Sequence, residues 1–175
     1  MVPAEVLGLY LEPQSGASIV LLGEVGESSR VIPIFVGSAE ARAIIIGLEG
    51  VALPRPQTHD LLLHVIEDLK AELVQVDITD IRDGTFLAEL ELKAHDGMHR
   101  ISARPSDGIA LATRLEVPIF VEASVLEEAG VAISHPPGER FTEEEIDEIV
   151  SGFETFLSTA EAEDFASWDA EPDED

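Results

Sequence analysis

Apolar residues alternate between positions 6 and 12, with Leu7, Leu9 and Leu11 on one side, and a second apolar run fills 18–22 after Pro13-Gln14-Ser15-Gly16. A period of two interrupted by turn-forming residues predicts a β-hairpin. A third strand is predicted over 31–36, beyond the Gly26-Glu27-Ser28-Ser29 turn. Its Pro33 has no N–H for a ladder, which implies an edge or an irregular pairing. The period then changes. Ser38 suits a helix N-cap, Glu40 complements the positive first turn, and the helix predicted through Glu49 stops at Gly50. Pro54-Arg55-Pro56 forbids helix; Thr58 then serves as a second N-cap, with Leu62, Ile66 and Leu69 at helical spacing to about Lys70.

The pattern restarts at residue 73. Strands are predicted over 73–79, 85–93 and 98–103, separated by the turn pairs Asp83-Gly84 and Asp96-Gly97, the second of which sets His95 opposite Met98. Ser106 caps a helix to about Glu116, and a short strand over 117–121 and a short helix over 124–129 follow. Laid over the first half at a constant shift of 67, Val6 meets Leu73, Ile19 meets Phe86, Ile34 meets Ile101, Glu40 meets Asp107 and Leu48 meets Leu115, without a gap. This predicts an α+β fold of duplicated three-strand-plus-helix units forming one domain over residues 1–137. Beyond the Pro136-Pro137-Gly138 break, Thr142 and Glu145 have capping-box spacing. Ile146, Ile149, Val150, Phe153, Phe156 and Leu157 lie along one stripe of a helix over 142–157. Residues 138–175 are therefore read as an acidic C-terminal helix and tail, packed on the core rather than acting as an inhibitory lid, with the end from Trp168 onward disordered.

Charge sharpens that division. Of the net −26, residues 1–137 carry 9 basic and 21 acidic side chains, a net −12, and the remaining 38 carry 1 and 15, a net −14. Such a field repels nucleic acid and anionic membrane at long range, so contact with phosphate requires a local basic patch or bridging divalent cations. The absence of cysteine excludes disulfides, thiolate metal sites and Cys nucleophiles. The first residues lack a basic stretch followed by an apolar core, and no apolar run approaches the ~20 residues of a membrane span. The expectation is a soluble cytoplasmic protein with no membrane contact.

Motifs of high specificity are missing: there is no His-Glu-x-x-His, phosphate-loop Lys, strand-to-helix Gly-x-Gly-x-x-Gly or Gly-x-Ser-x-Gly. Candidate chemistry falls instead on three helix starts. In Gly37-Ser38-Ala39-Glu40, the carboxylate either caps its own helix or faces a metal. In Arg55-Pro56-Gln57-Thr58-His59-Asp60, an imidazole and a carboxylate share a first turn, as base and orienter, as metal ligands, or as ordinary helix-start residues. In Arg104-Pro105-Ser106-Asp107-Gly108, a cation, a hydroxyl and a carboxylate fall within five positions, able to clamp a phosphate and hold a divalent ion or simply to lock the turn. His95 and His99 flank a hairpin turn, and His64 and His135 have no partners in sequence.

These segments, with Ile32-Pro33-Ile34-Phe35-Val36-Gly37 and Ile81-Arg82-Asp83-Gly84-Thr85-Phe86, resemble the bifunctional nuclease domain family over residues 5 to about 130. Gly108 stands where that family usually has Ala, and Gln57 replaces a usual apolar residue. The resemblance implies the duplicated α+β fold, a homo-oligomer, and hydrolysis of phosphodiester bonds in DNA and RNA. On that footing, Glu40, Asp60 and Asp107 are expected to be catalytic and to hold one or two divalent cations, Mg or Mn. His59 acts as base, and Arg104, Ser106 and Arg55 contact substrate. The alternative is a non-catalytic oligomeric binding module for a small anion or a protein partner.

Overall fold

A computed structural model of the chain describes residues 1–11, 16–26, 30–133 and 141–164. His135, the Pro136-Pro137-Gly138 break, Trp168 and most of the first two turn sequences lie outside the described residues, as do the side chains of Phe156 and Leu157. The strands are β1 (Val2–Leu11), β2 (Ser18–Glu24), β3 (Arg30–Val36), β4 (Glu72–Arg82), β5 (Thr85–Ala94), β6 (Gly97–Ala103), β7 (Ile119–Val121) and β8 (Val131–Ala132). The helices are α1 (Ser38–Leu48), α2 (Thr58–Asp68), α3 (Pro105–Leu115), α4 (Ala123–Ala129) and α5 (Glu143–Asp164). All eight strands form one mixed sheet in the order β6-β5-β4-β7-β1-β2-β3-β8, so the chain has an α+β fold. Among the described residues no helix is long and apolar enough to cross a membrane.

Two antiparallel meanders, β1-β2-β3 and β4-β5-β6, are joined through β7, which runs antiparallel to β1 and parallel to β4. Local chemistry accounts for much of this. Asp83 and Gly84 adopt φ of 48° and 70°, the two positive values that a two-residue hairpin turn demands. Pro33 is tolerated because β8 pairs only with Arg30 and Val31, leaving no outer neighbour at position 33. In the β5–β6 hairpin Ala94 pairs with Gly97, so His95 and Asp96 form the turn, and the expected His95–Met98 pairing gives way to Lys93–Met98.

Alternation along β2 builds two cores. Val20 and Leu22 join Ile44 of α1 and Ile109 and Leu111 of α3 on one face; Ile19 and Leu21 join Ile149 and Val150 of α5 on the other. Each fully buried Leu or Ile stabilises by about 1.5–3 kcal/mol, and Leu21→Ala would cost about 2–5 kcal/mol. Thr142 and Glu145 form the reciprocal cap expected from their spacing, the Thr142 N–H reaching Glu145 Oε2 at 2.8 Å.

The two meander-plus-helix units share element order, and α1 and α3 begin 67 residues apart. Residue for residue their hairpins differ: Ile19 pairs with Phe35, but Phe86 is not paired with Ser102, whose partner is Glu89. Helix starts also depart from expectation. The N-caps are Gly37, Gln57 and Arg104 in extended conformation, so Ser38 and Thr58 are the first residues of their helices, and Ser106 the second of its own. Helix α2 buries Leu63 and Ile66, while Leu61, Leu62, Val65 and Leu69 remain exposed. Its apolar residues surround more of the helix than the sheet can cover.

Candidate active site

The first turns of α1, α2 and α3 converge on a cleft of about 660 Å³ whose floor is Leu90, Leu92 and Ile101 of the sheet. In α3, Pro105 at the first helical position holds Arg104 in extended backbone, φ −72° and ψ 144°, because proline crowds the residue before it. Arg104 and Asp107, three apart, then meet as a bidentate pair: Nε donates to Oδ2 at 2.7 Å and Nη2 to Oδ1 at 3.1 Å. The remaining terminal nitrogen, Nη1, donates to Glu40 Oε1 at 3.1 Å. From α2, His59 Nε2 lies 3.1 Å from Asp107 Oδ1.

Asp107 therefore sits between a guanidinium and an imidazole. Burial alone would push its carboxyl up, but hydrogen bonds from Arg104 and His59, with the charge they bring, outweigh burial and hold it below the usual carboxylate range. Beside a deprotonated Asp107 the Nε2 is the donor, and the neutral tautomer that fits this contact carries its lone pair on Nδ1. An imidazole held by a carboxylate in this way has the geometry of a base with an orienter, built from segments 48 residues apart. Three helix N-termini aimed at one place add positive potential that favours an anion there. Among the described residues two of the five N–H donors of Arg104 have no acceptor, and its side chain is 66% exposed.

Asp60 does not join this cluster. One oxygen accepts the Gln57 backbone N–H at 2.7 Å, capping α2 from within, and the other accepts Arg114 Nε at 2.6 Å. The Arg114 bond is the main reason its carboxyl lies below the usual range; the Gln57 bond adds to it. The expected metal set of Glu40, Asp60 and Asp107 is thus not assembled. Asp60 is bound elsewhere, and the Arg104 cation lies between the other two, where a metal would have to displace it. Among the described residues no group of three His, Asp or Glu side chains is arranged to hold a metal. These residues, as placed, do not fit a divalent cation.

Of the expected substrate contacts, Arg104 lines the cleft, while Ser106 is buried and faces a neighbouring recess. Arg55 is exposed and lines neither. At the β5–β6 turn, Asp96 Oδ1 bonds His99 Nε2 at 2.8 Å on the surface, and His64 is exposed on α2. The residue that sequence reasoning missed is Arg114. Its buried guanidinium ties three helices together, bonding Asp60 of α2 and the carbonyls of Ala43 in α1 at 2.8 Å and Ala110 in α3 at 2.7 Å. Gly47 of α1 lies against it, since a side chain there would strike Thr113 and Arg114. A basic residue in a last helical turn is ordinary dipole compensation, so only the missing side chain at Gly47 hinted at a close crossing.

The chain has relatives among known proteins. The chain is 39% identical over 160 residues to the uncharacterized proteins MT1877 and Rv1829 of two Mycobacterium tuberculosis strains, a stretch covering 91% of this chain and 95% of theirs. Residues 20–134, which run from within β2 to β8 and include all three helix starts, match the family model of the bifunctional nuclease domain. The chain belongs to the bifunctional nuclease domain family.

Proposed function

We propose that the protein is a nuclease that hydrolyses phosphodiester bonds in DNA and RNA, with His59 as general base, Asp107 as its orienter and Arg104 as the phosphate ligand. The observation that supports this reading is the convergence of Glu40, His59, Arg104 and Asp107, from three separate segments, on one cleft. His59 Nδ1 takes a proton from water as its oxygen bonds phosphorus, Asp107 steadies the imidazolium that forms, and the P–O ester bond breaks with the leaving oxygen taking its proton from solvent. The free N–H groups of Arg104 offset charge gathering on the phosphoryl oxygens. Glu40 is a positioning residue, because its contact is with Arg104 rather than with the reacting atoms. Apart from water, the steps run through protein side chains alone.

The test is hydrolysis of an oligonucleotide by purified protein and by His59→Ala and Asp107→Asn variants. His59→Ala should lower kcat by roughly 10²–10⁴-fold, the range for a positioned base. EDTA should leave at least half of the parent rate. Equal rates for parent and His59→Ala would mean that the protein itself does not cut. Such a result would leave the anion- or protein-binding module as the reading of the same cleft.

A further inference from the structure

Beyond Arg104 the cleft adjoins a second recess of about 610 Å³, lined by Phe35, Gly37 and Phe86 with Thr85 and Ser106 on its polar side. Three rings stack continuously along its wall. Phe153 of α5 lies 5.5 Å from Phe86 at 15° and 6.2 Å from Phe35 at 23°. Phe86 and Phe153 are buried, but the outer ring, Phe35, is 41% exposed. Its strand holds it firmly, opposite the buried Ile19 of β2. A partly exposed ring stacked on a buried one, itself stacked on another, offers a platform for a planar ligand, and that packing limits the rotamer freedom left to lose on binding.

Arg104 and Glu40 line both recesses, and among the described residues Arg104 is the only Lys or Arg that lines either. A ligand matching both features carries an anionic group and, on a neighbouring part of the same molecule, a planar apolar face. We infer that the second recess receives a nucleobase, stacked on Phe35, when the adjoining phosphate lies at Arg104, and that the substrate is therefore a single-stranded polynucleotide laid across Arg104. The inference rests on the nuclease reading and narrows its substrate class. In a duplex each base has both faces covered by its neighbours, so a face becomes available to Phe35 only after unstacking, whereas a single strand offers one at little cost. Stacking on an aromatic ring tolerates every base, which suits a site with few groups to read base edges.

The experiment uses the full chain and a tetranucleotide carrying 2-aminopurine, whose fluorescence falls on stacking, with phosphorothioate linkages to slow cleavage. The parent should quench it. Phe35→Leu, which keeps the apolar bulk without the ring, and Phe35→Ala should bind roughly 5- to 150-fold more weakly, the range for one base on one ring. Phe35→Trp should restore quenching. On cleavable substrates, KM for a single strand should be at least about tenfold below that for the matching duplex, a margin that Phe35→Leu should erase. Unaltered quenching and KM in Phe35→Leu, with cleavage still dependent on His59, would overturn the stacking site and leave the nuclease reading standing. Quenching that depends on Phe35 without cleavage that depends on His59 would do the reverse.

Discussion

Helix α3 ends in two arginine–aspartate pairs of opposite character. At its start, Arg104 grips Asp107 bidentately, yet its side chain is 66% exposed and faces a cleft. At its end, Arg114 bonds Asp60 through a single N–H, and its side chain is only 7% exposed. The residue types are the same; water makes the difference. A guanidinium in contact with solvent exchanges partners at little cost and is available to a phosphate, whereas a buried one is fixed by every carbonyl and carboxylate it has been desolvated against. On the proposed function the two ends divide labour between binding and cohesion, and variants should separate them.

The largest effect is expected at the buried end. Arg114→Met removes the cation that links α1, α2 and α3 and leaves Asp60 with only its backbone cap. Breaking a buried pair from one side costs about 3–5 kcal/mol, so thermal unfolding should shift down by roughly 10 °C or more. A shift under about 3 °C would show that the three helices are held by their apolar contacts alone. At the open end, Arg104→Ala should leave the melting temperature within about 2 °C of the parent, because exposed pairs contribute little. The same substitution should raise KM for oligonucleotides roughly 10- to 100-fold. Arg104→Lys should rescue poorly, since an ammonium cannot span both oxygens of Asp107.

Acid separates the two ends again. Both Asp60 and Asp107 titrate below the usual carboxylate range. A carboxyl depressed by folding contributes stability that is fully present above the unfolded value, about 3.9, and is lost as pH falls through the depressed one. Relative to the parent, Arg114→Met should therefore lose less stability between pH 5 and pH 3, because the chief cause of the Asp60 depression is gone. In Arg104→Ala only the His59 bond still opposes the upward push of burial on Asp107, so the Asp107 carboxyl, followed by NMR titration, should move to higher pH with little change in the melting curve. A rise in acid stability without Arg104 equal to that without Arg114 would mean that both pairs serve the fold.

What the chain disclosed beforehand follows the same division between near and far. Features set by neighbours within four residues were readable: the Asp83-Gly84 turn, the Thr142–Glu145 cap, and the first-turn carboxylates of α1, α2 and α3. The candidate residues themselves were readable because a helix start concentrates polar groups in few positions. Their partnerships were not. Asp60 looks as well suited to a metal as Asp107 until Arg114, 54 residues on, is brought against it. Leu62 and Leu69 fit a helical stripe, but exposure depends on whether the sheet beneath extends that far, and Leu69 is 71% exposed. The three residues of β7, which join the two meanders, carry no signal of their central position, since pairing with both β1 and β4 is decided by the folded sheet.

The smallest predicted effect sharpens the comparison from the middle of α3. Gly108 stands where an alanine would ordinarily improve helix propensity by about 1 kcal/mol. Its position is buried, however, and a methyl group there would lie 2.7 Å from Val76 Cγ1, in the core of β4. Val76 is fully buried and cannot swing away, so overpacking of about 1–3 kcal/mol should outweigh the propensity gain. Gly108→Ala should lower stability by about 1 kcal/mol and, by lifting the first turn off the sheet, slow the reaction more than its stability loss explains, because Asp107 is the adjacent residue. Adding Val76→Ala makes room for the methyl, so the double variant should be more stable than the two single losses sum to and should recover rate. If instead the glycine serves only to loosen the helix start, Gly108→Ala will be the more stable protein, and Val76→Ala will simply add its own cost.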